Sequence, residues 1–160
     1  MHIRFPQLIG CCLVAVFALH GPASAGSSLF FLEAADVAIS AAQGGPAIVV
    51  MWTPGCLACR KSLGEIERFG AEATRMGVTV RTVVPDDAYD EARDLVSQRG
   101  LALGVERDGG RLDAESRRIL LDHPIAYAVD RRGAVVGARA GLLGAWLLEE
   151  LAGKAAEAAE

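Results

Sequence analysis

Cys56-Leu57-Ala58-Cys59 sets two thiols three positions apart, where the apolar run Ala47 to Trp52 gives way to a helix-like pattern. Thiols at that spacing can form a structural staple, half of a metal site or a redox centre. A bridge that closes so small a loop removes little chain entropy from the unfolded state and makes a poor staple. A lone CxxC also falls short of the four ligands a structural zinc site usually needs. Redox chemistry fits better. A sulfur at the first turn of a helix meets unpaired backbone N–H groups and the positive end of the helix dipole, and both favour the thiolate. CxxC thiols in such settings have pKa values lowered to about 3.5–7.5, and the thiolate is the species that attacks a disulfide. Cys56 is therefore the expected nucleophile. Cys59, one turn later on an inward face with Leu63 and Ile66, is expected to resolve a mixed disulfide by attacking Cys56. Arg60 and Lys61 stand beside the pair, either to favour the thiolate or as ordinary solvated helix residues.

The elements that must position this pair follow from the hydropathy pattern. Residues 1–25 read as a secretory signal: Arg4 opens a basic end, Leu8 to Leu19 is uncharged and largely apolar, and Ala23-Ser24-Ala25 fits a small-residue cleavage site. Leu8-Ile9-Gly10-Cys11 resembles a lipoprotein cleavage box, but the apolar stretch follows Cys11 where it ought to precede it, so a membrane anchor is the lesser expectation. No later apolar run approaches the ~20 residues a membrane helix needs. What remains is enough for one soluble domain at 26–153, with a flexible tail at 154–160. Without Arg4 the chain keeps 15 basic and 20 acidic residues, which gives no electrostatic reason to expect nucleic acid or an anionic membrane as partner. Cys11 and Cys12 leave with the signal, so the CxxC pair holds the only cysteines of the expected mature chain. In an oxidising exported compartment, periplasmic or secreted, that pair is a disulfide some or all of the time.

Residues 30–43 predict a short helix that ends at Gly44-Gly45-Pro46. The continuous apolar run Ala47 to Trp52 predicts a strand covered on both faces in an α/β sheet. A helix is expected from Cys56 to Gly70, a second strand at 78–84, and a polar helix from Pro85 to Gln98 whose acids Asp86, Asp87, Asp90 and Glu91 suit a solvated helix start. Beyond it the pattern gives a short strand and turn in LALGVERDGG, a helix in RLDAESRRILL, and a strand IAYAVD that turns at DRRG into AVVGARA as a hairpin. Leu143, Leu147 and Leu151 form one stripe of a terminal helix that packs on the sheet.

These residues resemble the thioredoxin superfamily, and within it the periplasmic TlpA/ResA-like thiol-disulfide oxidoreductases. The likeness covers nearly all of 30–153. Trp52 stands four residues before the first cysteine, as the family's tryptophan does, and Arg60 follows the second cysteine as a basic residue commonly does there. HPIAYAVDRRGAVVGARAG looks like the family's cis-proline strand and hairpin, with Pro124, Asp130 and Gly133 at the usual spacing. The resemblance implies a thioredoxin-like fold, a central mixed sheet flanked by helices, with a TlpA-type helix-strand insertion between Cys59 and Pro124. It also implies that Pro124 is cis and that its turn brings the backbone of His123 against the sulfurs, where the family docks substrate as a short extra strand. On that reading Trp52, His123 and Pro124 are the substrate-binding residues, although Trp52 also suits a purely shielding role. The implied partners are protein thiols and disulfides, with a membrane electron donor or acceptor. The implied protein is a monomer with no cofactor beyond the redox-active disulfide.

The chain departs from the thioredoxin pattern in several places. Val50 stands where thioredoxins bury a carboxylate, Gly55 replaces the tryptophan before the first cysteine, Leu57-Ala58 lacks the usual proline, and Gly64 takes the place of a kinking proline. His123, the only histidine of the expected mature chain, is an ordinary loop residue, a group that tunes the thiolate, or a third metal ligand. With Cys56 and Cys59 it would make a Cu(I) site, the basis of an alternative reading as a copper chaperone. Thr53-Pro54-Gly55-Cys56 looks like the TPGC of one peroxiredoxin branch, but Pro124 appears where those enzymes need an arginine. A binding module with an incidental disulfide is the remaining alternative.

Overall fold

Five successive apolar side chains, Ala47-Ile48-Val49-Val50-Met51, leave a strand no face to offer water, so it must run through the middle of a sheet covered on both sides. β1 (Ala47–Met51) does so, with every residue buried. The computed structural model describes residues 34–157; the expected signal segment, the start of the helix expected at 30–43 and residues 158–160 lie outside them. The described chain runs α1 (Ala35–Ala42), β1, α2 (Leu57–Arg75), β2 (Thr79–Val84), a 3₁₀ turn (Asp86–Ala88), α3 (Tyr89–Gln98), β3 (Val105–Arg107), α4 (Ala114–Leu120), β4 (Ile125–Val129), β5 (Val135–Ala140) and α5 (Ala145–Glu157). Sheet order is β3-β2-β1-β4-β5; β1, β2 and β3 are parallel, and β4 is antiparallel to both β1 and β5. The helix-strand insertion expected before β4 is present as α3 and β3, and β3 forms one edge of the sheet.

Alternation along β1 divides the core in two. Ile48 and Val50 face α2 and α5, in a cluster that includes Cys56, Cys59, Leu63, Ile66 and Leu148. Ala47, Val49 and Met51 face α1 and α4, with Val37, Leu120 and Tyr127. On α2 the buried residues Cys59, Ser62, Leu63, Ile66, Phe69 and Ala73 recur at helical steps, which is why this helix lies flat on the sheet. Fully burying a side chain such as Leu63 or Ile66 contributes about 1.5–3 kcal/mol. The predicted stripe Leu143, Leu147 and Leu151 is likewise buried. α5 comes close to β5, because a Cβ on Gly137 would lie 3.1 Å from Leu151 Cδ2 and 3.3 Å from Lys154 Cδ. The hairpin turns where predicted: Asp130 Oδ1 accepts the N–H groups of Arg132 and Ala134, each at 2.8 Å, and Gly133 adopts φ 79°.

Several boundaries differ from the sequence reading; the polar helix expected from Pro85 begins at Tyr89, after the 3₁₀ turn Asp86–Ala88. α2 runs through Gly70 to Arg75, because buried Phe69 and Ala73 carry its apolar stripe past the glycine. α5 continues into the expected tail as far as Glu157, with Ala155 buried in the core and Lys154 Nζ on Glu150 at 2.6 Å.

Candidate active site

Trp52 extends the sheet by one more bond, its N–H donating to the Val83 carbonyl at 3.1 Å, and the chain then leaves toward α2. Thr53 fixes that exit. Its Oγ1 donates to the Leu120 carbonyl at 2.8 Å, so the end of α4 holds the loop that delivers Cys56. Cys56 is the N-cap of α2, with extended backbone (φ −75°, ψ 116°), and its Sγ accepts the Cys59 N–H at 3.0 Å. That position usually belongs to Ser, Thr, Asp or Asn, whose oxygen takes one of the helix's unpaired amides. Here a sulfur takes it, at the positive end of a helix of 19 residues, where a thiolate is favoured.

Cys56 and Cys59 are joined by a disulfide, with Cα atoms 5.2 Å apart. Both cysteines are buried, whereas Gly55 and Leu57 on either side of Cys56 are exposed. Attack on either sulfur therefore requires the 53–57 loop to open locally. A Cβ added at Gly55 would meet nothing within 4 Å, so that side of Cys56 is clear.

Pairing of Met51 with Ile125 sets Pro124 in register beside Trp52, so the start of β4 lies at the same end of the sheet as the disulfide. Ser62 ties the far side together. This fully buried hydroxyl donates to the Ala58 carbonyl at 2.9 Å and accepts the Leu143 N–H at 3.0 Å, and Gly141 N–H donates to the Pro124 carbonyl at 3.0 Å. Of the five exposed large hydrophobic side chains among the described residues, four gather here: Leu57, Leu121, Leu142 and Trp146. Leu121 lines a hollow with Thr53, Pro54 and Gly55, and Leu142 and Trp146 line another with Lys61.

No family model matches the chain, and no curated protein matches it either. Solved structures do. A putative thiol:disulfide interchange protein DsbE from Chlorobium tepidum aligns at 22% identity and TM-score 0.57, over 74% of this chain and 84% of that one. StoA from Bacillus subtilis aligns at 21% identity and TM-score 0.56, over 68% of this chain and 82% of its own. A secreted Mycobacterium tuberculosis disulfide oxidoreductase homologous to E. coli DsbE aligns at 21% and 0.52, over 74% and 85%. The chain has the thioredoxin fold.

Within that thioredoxin fold several expectations need correction. Among the described residues no peptide bond is cis, so Pro124 is trans, the form an X-Pro bond favours by about 0.5–1 kcal/mol. The His123 N–H is already committed to the Ile119 carbonyl at 3.1 Å as the chain leaves α4, so a docking strand would find that amide taken. Trp52 is fully buried in the cluster that includes both cysteines, the packing position that the sequence also allowed it. Pro124 is buried too, leaving His123 as the exposed member of the expected docking set. His123 does not join Cys56 and Cys59: among the described residues no group of three or more His, Cys, Asp or Glu side chains could hold a metal ion. The copper reading therefore loses its third ligand. Val50 is buried and apolar, so no carboxylate stands at that place behind the disulfide.

In this region the carboxylate with a structural role is Asp108, just after β3. Asp108 is buried, which works to raise its carboxyl pKa, yet the N–H groups of Leu112, Gly110 and Asp86, with Arg117 at 3.6 Å, outweigh burial and hold it below the usual carboxylate range. Asp87 and Asp90 meet Arg117 and Arg107. Sequence reasoning passed over Ser62 and Arg99, whose Nη1 donates to the Arg60 carbonyl at 2.6 Å, and met Thr53 only as part of the TPGC likeness. Ser62 did leave a signal, a hydroxyl three residues after Cys59 on a face that is otherwise apolar.

Proposed function

We propose that the protein is an exported thiol-disulfide oxidoreductase that reduces disulfides of partner proteins. The observation that carries this reading is the Cys56 sulfur at the N-terminus of α2, receiving the Cys59 amide and bonded to the Cys59 sulfur. In the reduced pair the Cys56 thiolate attacks a partner disulfide; that S–S bond breaks, a Cys56–partner bond forms, and one partner thiolate leaves. The Cys59 thiolate then attacks Cys56, the second partner thiolate departs, and the protein is left as the Cys56–Cys59 disulfide. Two electrons pass to the partner, which takes up two protons from water. Thr53 and Ser62 position the loop and helix for these steps, and Trp52 screens the sulfurs from behind. Disulfides awaiting reduction in apocytochrome c or at metal-site cysteines suit this activity, with a membrane electron donor returning the pair to the dithiol. Names of the structural neighbours support the exchange chemistry, and three of them describe exported, secreted or surface proteins. No helix among the described residues is long and apolar enough to cross a membrane.

Trapping tests this reading. Cys59→Ser, which keeps the nucleophile and removes the resolving thiol, is expected to accumulate a mixed disulfide with a disulfide-bridged peptide, seen as a mass increase that dithiothreitol reverses. Cys56→Ser is expected to accumulate none. Equal trapping by both variants, or by neither, would contradict the assignment of Cys56 as nucleophile.

A further inference from the structure

We infer that Arg60, Lys61 and Arg99 form a specificity site that selects partner segments carrying carboxylates beside the reacting disulfide. The inference rests on the exchange reading above. A hollow of about 500 Å³ opens over the first turns of α2, lined by Leu57, the residue after Cys56, with Arg60, Lys61, Gly64, Arg99 and Leu101. Arg99 comes from the C-terminal end of α3, and its bond to the Arg60 carbonyl holds its guanidinium against the first turn of α2, where Arg60 and Lys61 already sit. Three cations are thus gathered on one rim of the active site.

None of them has an ion-pair partner among the described residues. The contrast along α2 is direct, because Arg68 is bonded to Glu65 and Arg75 to Glu72. Nearby acids are otherwise engaged or out of reach. Glu65 serves Arg68, and Glu67 accepts the Ala102 N–H at 2.5 Å. Glu91 and Asp94 line the adjoining hollow with Arg60 but do not come within ion-pair distance of it. Like charges gathered without a direct ion pair repel one another, and an anionic partner in contact with them relieves that repulsion. The patch also runs against the chain's net charge of −4, so the preference it confers is local to the docked segment and does not extend to long-range attraction. Exposed Leu57 lines the same hollow as the cations and follows Cys56 directly in the chain, offering an apolar contact close to the scissile bond with charge recognition beside it.

The test uses the full chain, reduced and freed of dithiothreitol, in single-turnover reduction of disulfide-bridged peptides that differ only in whether glutamate, glutamine or lysine flanks the bridge. Neutral dipyridyl disulfide normalises each protein's rate. The expected result is reduction of the glutamate peptide about tenfold faster than the lysine peptide at low salt, a preference that collapses near 0.5 M salt as screening shortens below ~5 Å. In R60Q/K61Q/R99Q the glutamate-to-lysine ratio is expected to fall to near one. Should that variant fail to fold, Lys61→Gln alone, an exposed change, is expected to lower the ratio about threefold. Equal rates for the two peptides, or a preference that survives the substitutions, would overturn the inference while leaving the exchange reading standing. If no disulfide is reduced faster than by Cys56→Ser protein, both readings fall together.

Discussion

Replacing Ser62 with alanine removes a hydroxyl that links the CxxC helix to the segment before α5, and its cost can be worked from the bonds lost. Ser62 Oγ donates to the Ala58 carbonyl and accepts the Leu143 N–H; Ser62 and Leu143 are buried and Ala58 is half-buried. The Ala58 carbonyl keeps its helical partner, so that loss is small. Leu143 N–H has no other acceptor, and a buried amide left unpaired costs about 1–3 kcal/mol. Thr74 provides an internal control. Its Oγ1 donates to the Gly70 carbonyl at 2.9 Å on the same helix, but it is exposed and accepts nothing. Guanidinium unfolding of the oxidised protein should therefore show Ser62→Ala destabilised by roughly 1–3 kcal/mol with unchanged m-value, and Thr74→Ala within about 0.5 kcal/mol of the parent. Hydrogen exchange at the Leu143 amide should accelerate in Ser62→Ala alone. Equal effects of the two substitutions would refute the idea that Ser62 holds this junction.

Thr53→Val keeps the side-chain shape but strands the Leu120 carbonyl, and is expected to cost about 1–2 kcal/mol while speeding reduction of the disulfide by dithiothreitol, since attack requires the 53–57 loop to open. Unchanged or slower reduction would show that Thr53 does not restrain the loop. Asp108→Asn should destabilise by about 1.5–3 kcal/mol near neutral pH, because three backbone amides donate to this carboxylate. The Asp108 pKa is lowered on folding, so its contribution is present above the unfolded value of about 3.9 and is lost as pH falls through the lower folded value. The gap between parent and variant in urea midpoints should thus be steady above about pH 5 and narrow below pH 4; a gap that widens in acid would be the wrong sign. Gly137→Val should cost about 1–3 kcal/mol by forcing α5 off β5, read as a lowered thermal midpoint.

Much of the architecture was legible because the patterning was strong. Ala47 to Met51 could only be a central strand, and the inward spacing of Cys59, Leu63 and Ile66 set both the face of α2 and the position of the cysteines. What escaped the sequence depended on partners far along the chain. Thr53 meets Leu120 across 67 positions and Ser62 meets Leu143 across 81, and no local pattern announces such pairs. The depth of Trp52 was open for a similar reason, since an indole at a strand end suits a shield or a docking surface until the packing around it is known. His123 drew attention through its chemistry, and only the fold shows it exposed with its amide committed to Ile119. Arg99 was invisible as a neighbour of the active site because α3, which carries it there, is positioned only by tertiary packing.

The reduction potential of Cys56–Cys59 tests the central claim most directly, measured by thiol alkylation and mass shift across glutathione and dithiothreitol buffers. A reversible two-electron transition is expected, with a midpoint at or below about −250 mV, in the range of thioredoxin-like reductants. A midpoint near −120 mV would make the protein an oxidant, and a pair that stays oxidised below roughly −300 mV would be a structural bridge; either result would contradict it.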